Sequence, residues 1–434
     1  MLVDPVQGAA FQKGDTLLVL TKHYPFNDGN TPAESYLETE IPYLSERFSS
    51  VVIVATEAAV RVRKIQETPP NVRAFTLNLP QTKKEKALCL VNGVLRASNS
   101  KIGAEAVRSD SGLSMQQKLF QRYYIGKALR KFCALKRLLD ENSIKPTEIY
   151  SFWFHDTALV ACWLKREFSC AHVVARAHRY DLYHDRTQCG HLPCREYQFA
   201  GLDAVIPCSK DGSVYLKNLY PDYAGKIKTG YLGTRWLSDK SNEPRGNIFK
   251  IVSCSAVTSV KRVGLIGDAL RILDASRIHI EWTHYGDGPE LQAVKAKVQG
   301  LRNVVCRFPG SIPNAELLDE YATIHYDLFV NVSSSEGLPI SIMEASGYGI
   351  PVLATDVGGT HELVVDGANG KLIPGSCTDE SIANAILSFI EMSDKDYAAM
   401  RVAARRRWEN GFQAEGNVAI LLNELLPSSN TESR

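Results

Sequence analysis

Two glutamates with seven residues between them, Glu336 and Glu344, stand in the segment NVSSSEGLPISIMEA, separated by Gly337, Leu338, Pro339 and the start of an apolar run. The preceding residues predict a strand ending at Ser333. Pro339 then stands where a first helical residue belongs, because its fixed φ suits a helix and its missing N–H would be unpaired there anyway. The amides of that first turn form a positive end, which is a seat for phosphate oxygens when it opens from the carboxyl edge of a parallel sheet. Gly337 lets the backbone approach such a group. Glu344, more than a turn into the helix, is placed to accept hydrogen bonds from a diol beside the phosphates, as a ribose offers. Glu336, in the loop, would meet the hydroxyls of a sugar on their other side, so the two acids would bracket a nucleotide sugar.

Strands alternating with helices must position these residues, and the pattern occurs twice, as expected for parallel sheets covered on both faces. In the first half, Thr16–Thr21 and Val51–Ala55 read as buried strands around an amphipathic helix, Glu34–Phe48. Further strands are expected at Glu148–Phe152, His172–Arg176 and Ala204–Ile206, with helices between them, including a long one near Ser114–Glu141. In that helix Leu119, Tyr123, Leu129, Phe132 and Leu139 recur at helical spacing and are read as core. Between Thr234 and Asn247 the apolar period is lost among Ser, Asp, Asn, Pro and Gly, which marks a linker. A second unit follows, with strands at Phe249–Cys254, Ile278–Tyr285, Val304–Phe308, Leu328–Val332 and Val352–Ala354. The segment Ser381–Leu426 reads as helical throughout.

The 434 residues, 44% of them hydrophobic and 23% charged, suit a globular protein of two to three domains and exclude fibrous or disordered classes. No stretch approaches the roughly 18–20 apolar residues of a membrane span, and the opening MLVDPVQGAAFQKGD lacks a basic segment followed by an apolar one. A cytoplasmic location is therefore expected, with a peripheral position at the inner face of the cell membrane left open. The ten cysteines contain no CxxC and read as reduced, buried thiols, and Cys189-Gly-His191-Leu-Pro-Cys194 matches no common zinc spacing. Net charge is divided unevenly: residues 1–240 hold 33 Lys and Arg against 24 Asp and Glu, while residues 241–434 hold 17 against 24. Between Arg61 and Arg137 there are 17 basic residues and four acidic ones. The first half is thus suited to an anionic membrane surface or a lipid-phosphate substrate, with a solvated helix face as the plain alternative. Nucleic acid is not expected as a partner, because no recognisable RNA-binding motif interleaves aromatics with the basic run.

The pair Glu336 and Glu344, with GIPVLATDVGGTHELV behind it, resembles the retaining glycosyltransferases of family 4, which have the GT-B fold. The turn HYGDGPE at His284–Glu290 and the stretch from Phe308-Pro-Gly310 to DLFVNVS extend the likeness, which covers residues 249–375 well and the first half loosely. The resemblance implies an α/β chain of two Rossmann-like domains facing each other across a cleft. Residues 1–237 would form the acceptor domain and 248–410 the nucleotide-sugar donor domain, with a C-terminal helix within 411–434 crossing back to the first. It also implies that Lys261 neutralises the donor diphosphate with Arg262 beside it, that His178 in VVARAHRYDLY faces the donor sugar, and that Gly29 lies in a loop over the phosphates. Asp181 and Arg179 would stand near the acceptor. Many members carry an arginine five residues before the lysine, where this chain has Ala256.

The implied reaction is transfer of a sugar from a nucleoside diphosphate to the hydroxyl of a carbohydrate or lipid-linked acceptor, with retention at the anomeric carbon. Surface polysaccharide or glycolipid synthesis would be its setting, and a GT-B sugar-nucleotide epimerase is the alternative. His178, Glu336 and Lys261 are the expected catalytic residues, and Gly29, Arg262, Gly337, Leu338, Pro339 and Glu344 the donor-binding ones. No cofactor or metal is expected, because cationic side chains can stabilise the leaving diphosphate. The one Asp-x-Asp, Asp394-Lys-Asp396, is read as a helix cap.

Overall fold

The computed structural model describes residues 15–27, 34–58, 64–65, 67–79, 82–110, 112–169, 172–187, 189–236, 245–276 and 278–426. Among them the apolar runs form fourteen strands. The first eight are β1 (Thr16–Thr21), β2 (Phe26–Asn27), β3 (Ser50–Ala55), β4 (Lys64–Ile65), β5 (Val72–Thr76), β6 (Glu148–Ser151), β7 (His172–Ala177) and β8 (Ala204–Pro207). The others are β9 (Phe249–Cys254), β10 (Ile280–Tyr285), β11 (Val304–Gly310), β12 (Leu328–Asn331), β13 (Val352–Asp356) and β14 (Gly370–Pro374).

The chain divides into two compact units. The first gathers residues 1–208, 213–230 and those from Val418 on, and the second residues 209–212 and 231–417. The first unit's sheet runs β5-β3-β1-β6-β7-β8 and the second's β11-β10-β9-β12-β13-β14. All of these neighbours pair in parallel, while β2 and β4 make a small antiparallel pair. In each sheet the chain starts at a central strand, winds outward to one edge, then returns to wind the other way, the doubly wound order of dinucleotide-binding folds. Strands covered by helices on both faces are apolar along their length rather than alternating, which is why Leu17 to Leu20 are all buried.

Several elements differ from those expected. The strand Val72–Thr76 had no counterpart in the sequence reading, and the helices Lys83–Asn99, Lys101–Arg108 and Asp156–Phe168 were expected between strands only without bounds. The C-terminal segment, read as helical throughout, is divided into three helices, Asp379–Ile390, Asp394–Glu409 and Ala414–Leu425. The break before the second is made by Ser393, whose hydroxyl oxygen accepts the Asp396 N–H and so starts a new helix. Asp394 and Asp396 lie in its first turn. In the third, Leu421 and Leu425 are buried with Leu17, Val19 and Ile206 in the core of the first unit.

Two readings are corrected on burial. Leu119, taken as core, is 54% exposed. The cysteines are not uniformly buried: Cys133 is exposed, and Cys189, Cys254, Cys306 and Cys377 are half-buried. The basic run is also smaller at the surface than its count. Lys131 is buried, bonding Glu57 at 2.6 Å and Asp156 at 2.9 Å, and Lys127 reaches the same two acids.

Candidate active site

In the second unit, strands β9 and β12 are adjacent although the chain visits β10 and β11 between them, so the loops leaving their carboxyl ends diverge and open a crevice. The loop after β9 carries Lys261 and the loop after β12 carries Glu336. At that switch point Lys261 Nζ lies 2.6 Å from Glu336 Oε1. Glu336 is 7% exposed, and Asn331 Nδ2 also donates to Oε1 at 3.3 Å. The two loops are joined directly, since the Ser334 N–H donates to the Val260 carbonyl at 2.8 Å.

Arg262, expected beside the phosphates, is turned elsewhere. It takes a left-handed backbone conformation at the start of the helix Val263–Leu273, with φ of 51°. Its guanidinium donates to the carbonyls of Val332 at 2.8 Å, Gly375 at 2.8 Å and Ser333 at 3.2 Å. With these bonds it buttresses the Glu336 loop from behind. Ala256 is exposed on the loop after β9.

The helix after Glu336 starts one residue later than expected. Pro339 is its N-cap in extended conformation, and the helix runs Ile340–Gly347. Leu338 is buried, and the Gly337 carbonyl accepts the Gly359 N–H at 2.8 Å. Gly358 has φ of +53°, and a Cβ there would lie 2.0 Å from the Glu336 carbonyl oxygen. The glycine pair after β13 is thus the surface on which the Glu336–Gly337 backbone rests, and a side chain would push the acid out of place. Gly286, with φ of +140°, does the same for the loop after β9, where a Cβ would meet the Ser255 carbonyl at 1.9 Å.

Glu344 is 8% exposed in the helix Ile340–Gly347, and its Oε1 accepts from Asn314 Nδ2 at 2.7 Å. Burial pushes its pKa up to about 7, against the opposing effect of the Asn314 bond. A carboxyl whose folded pKa lies above its unfolded value of 4.5 favours the fold fully below pH 4.5, and that advantage is lost as pH rises through 7. Glu344→Gln is therefore expected to gain stability relative to the parent as pH rises from 5 to 8, by about 2–3 kcal/mol. Chemical denaturation at a series of pH values checks this, and a difference independent of pH would contradict it.

In the first unit, His178 follows β7 and begins the short helix Arg179–Leu182, where it forms a reciprocal cap with Asp181. Its backbone N–H donates to Asp181 Oδ1 at 2.7 Å. Its Nε2 lies 3.0 Å from the Phe152 carbonyl, which can only accept, so Nε2 carries the proton. The ring packs at 4.8 Å from both Phe152 and Trp153. Burial, and then the charge of Arg176, push its pKa down to about 3, so the imidazole is neutral near pH 7 and is no proton donor of the imidazolium kind. Asp181 is fully buried, its second oxygen accepting the Phe154 N–H at 2.6 Å, which assigns it to holding these loops. Gly29 lies outside the described residues. The amides that follow β1, those of Lys22, His23 and Tyr24, donate to the buried carboxylate of Glu34 at 3.1, 2.8 and 2.7 Å. Trp153 and Thr21 add side-chain bonds to it.

Sequence reasoning missed Asn331, Asn314 and Glu34. Asn331 reads in the sequence only as part of the strand Leu328–Val332, and nothing in local spacing links Asn314 to Glu344 or Glu34 to the amides it binds. The Asn314–Glu344 contact joins residues 30 positions apart, and the other two close the loops that follow β12 and β1.

Two doubly wound parallel units, the second with an ion pair at its switch point, define a protein of the GT-B fold class. Residues 234–407 match the family model described as glycosyl transferases group 1. Over 131 residues the chain is 32% identical to the O-antigen biosynthesis glycosyltransferase WbnH of Escherichia coli, covering 30% of this chain and 35% of that protein. It is 24% identical over 229 residues to the putative colanic acid biosynthesis glycosyltransferase WcaL of Salmonella typhimurium, covering 51% and 56%. The matches to these relatives thus span about a third to a little over half of their own length. Among solved structures, sucrose-phosphate synthase of Thermosynechococcus elongatus aligns with a TM-score of 0.65 at 15% identity, covering 94% of this chain and 98% of the other. Anabaena HepE in complex with UDP and glucose aligns at 0.60 and 17%, covering 95% and 99%. These likenesses extend the shared fold over both units.

Proposed function

We propose that this chain is a glycosyltransferase that moves a sugar from a nucleoside diphosphate to a carbohydrate or lipid-linked acceptor hydroxyl, with retention at the anomeric carbon and without a metal. The observation that carries this reading is the Lys261–Glu336 pair at the crevice between β9 and β12, with the buried carboxyl of Glu344 a turn into the following helix.

In the reaction, the bond from the anomeric carbon to the diphosphate oxygen breaks and its electron pair leaves with the phosphate. The acceptor oxygen bonds to the same face of that carbon, and its proton passes to the departing diphosphate. Lys261 and the amides at the start of the helix Ile340–Gly347 stabilise the charge that grows there. Glu336 accepts from the donor sugar's hydroxyls and Glu344 from the ribose diol. The resemblance would have His178 face the donor sugar, and its neutral ring would then act there as an apolar wall. Arg262, Gly337, Leu338 and Pro339 hold the loop that presents the donor.

The names of the relatives support O-antigen or exopolysaccharide assembly as the setting, and the UDP complex of HepE makes UDP-sugars the first donors to test. The full chain incubated with a UDP-sugar and a hydroxyl acceptor is expected to release UDP only when acceptor is present, at a rate unchanged by EDTA. The product should keep the donor's anomeric configuration by NMR. Inversion, or loss of activity in EDTA, would overturn the corresponding part. A donor epimerised without acceptor would point to an isomerase instead.

A further inference from the structure

The helix Lys83–Asn99 is amphipathic in an unusual sense, because its outward face is apolar. It packs on the helix Met115–Glu141 through small residues. A Cβ at Gly93 would sit 1.7 Å from the Arg122 carbonyl, and one at Gly126 would sit 1.8 Å from that of Cys89, so the two backbones touch. Residues 88, 91 and 95 fall together on the side of the helix opposite Cys89 and Gly93, given 3.6 residues per turn. There Leu88 is 47% exposed, Val91 49% and Leu95 60%. The start of the partner helix leaves Met115 88% exposed and Leu119 54% exposed, and Leu119 meets the first helix along its Ala87–Leu90 flank. A groove of about 370 Å³ beside them is floored by Leu90, Phe120 and Tyr123.

Basic groups surround this apolar area. Lys83, Lys84 and Lys86 at the start of the first helix and Lys118 on the second are all exposed. The acid among them, Glu85, is engaged by Arg130 at 3.0 Å. Soluble proteins rarely leave a contiguous apolar face open, and one rimmed with lysines fits an interface whose other side is apolar beneath and anionic above. A second copy of the chain is the poorer match, because a twofold pairing would bring the same lysines against one another.

We propose that the outer face of the helix Lys83–Asn99, with the adjoining start of Met115–Glu141, is a docking surface for an anionic lipid bilayer. The leucines, valine and methionine enter the acyl boundary and the lysines lie at the headgroup phosphates. The inference rests on the first unit alone and is independent of the sugar-transfer reading.

The test is co-flotation of the full chain with vesicles of phosphatidylcholine, with and without phosphatidylglycerol, at low and high salt. The parent is expected to float with the anionic vesicles at low salt and to be released by salt or by omitting phosphatidylglycerol. Lys83→Glu with Lys84→Glu should weaken binding by about 25-fold, at roughly fivefold per lysine removed. Leu88→Glu with Leu95→Glu should abolish it, with thermal unfolding unchanged because both side chains are exposed. Equal binding to neutral vesicles, or undiminished binding by the leucine variant, would overturn the proposal. So would a parent that ignores vesicles but forms a dimer that the leucine variant loses, which would make the occupant a second copy. Donor turnover with a water-soluble acceptor, measured in parallel, reports on the enzymatic reading separately.

Discussion

Lys261→Ala is expected to lower turnover of the nucleotide sugar by roughly 10²–10³, equivalent to about 3–4 kcal/mol of transition-state stabilisation. The ammonium stands at the switch-point crevice, where on the proposed reading a leaving diphosphate gains charge. Its loss has a second consequence. Glu336, 7% exposed, keeps only the Asn331 amide as its named polar partner, so a buried carboxylate loses its counter-charge. The free protein should therefore lose roughly 1–3 kcal/mol of stability. Single-turnover rates at saturating donor, with denaturant unfolding of the same samples, measure both effects. A parent-like rate would remove Lys261 from the chemistry.

Glu336→Gln should cost as much in rate, about 10²–10³, while leaving the fold nearly as stable as the parent. The substitution keeps shape and an acceptor oxygen but exchanges charge-assisted hydrogen bonds to the sugar's hydroxyls for neutral ones, at roughly 1.5–3 kcal/mol for each charged bond lost. It also withdraws the negative charge that favours a sugar developing positive charge at its anomeric carbon. Lys261 is part-exposed, its side chain at 28%, and can turn to water when its partner becomes neutral. The two variants differ in stability for this reason. Combining Lys261→Ala with Glu336→Gln should restore most of the stability lost by the lysine change and none of the rate. A double variant as unstable as Lys261→Ala would show that the stability cost does not come from the stranded carboxylate.

The tendency of each segment was legible because it is local. Runs such as TLLVLT and FKIVSC are apolar along their whole length, as only strands covered on both faces need to be. The spacing of Glu336, Pro339 and Glu344 fixed a loop followed by a helix start to within one residue. Where competing local signals were weak, the reading failed. The helix Lys83–Asn99 has an apolar outer face and a glycine contact face, which is the reverse of the usual pattern, and Leu119, on the helix packed against it, lines an open groove beside Ala87 and Leu90 instead of the core. Lys127 and Lys131 counted as surface charge because nothing near them in sequence reveals that Glu57 and Asp156 receive them inside.

From the sequence alone came two βα-alternating halves, a loop leading into a helix start in the second, and the two acids flanking it, since these follow from composition, period and spacing within a few dozen residues. Only the tertiary structure decided that Lys261 meets Glu336 across 75 positions, that Arg262 serves carbonyls, and that Asn314 holds Glu344. The physical reason is strand order. Hydrogen bonding sets β9 beside β12, and that adjacency, absent from any local pattern, brings two distant loops within bonding distance.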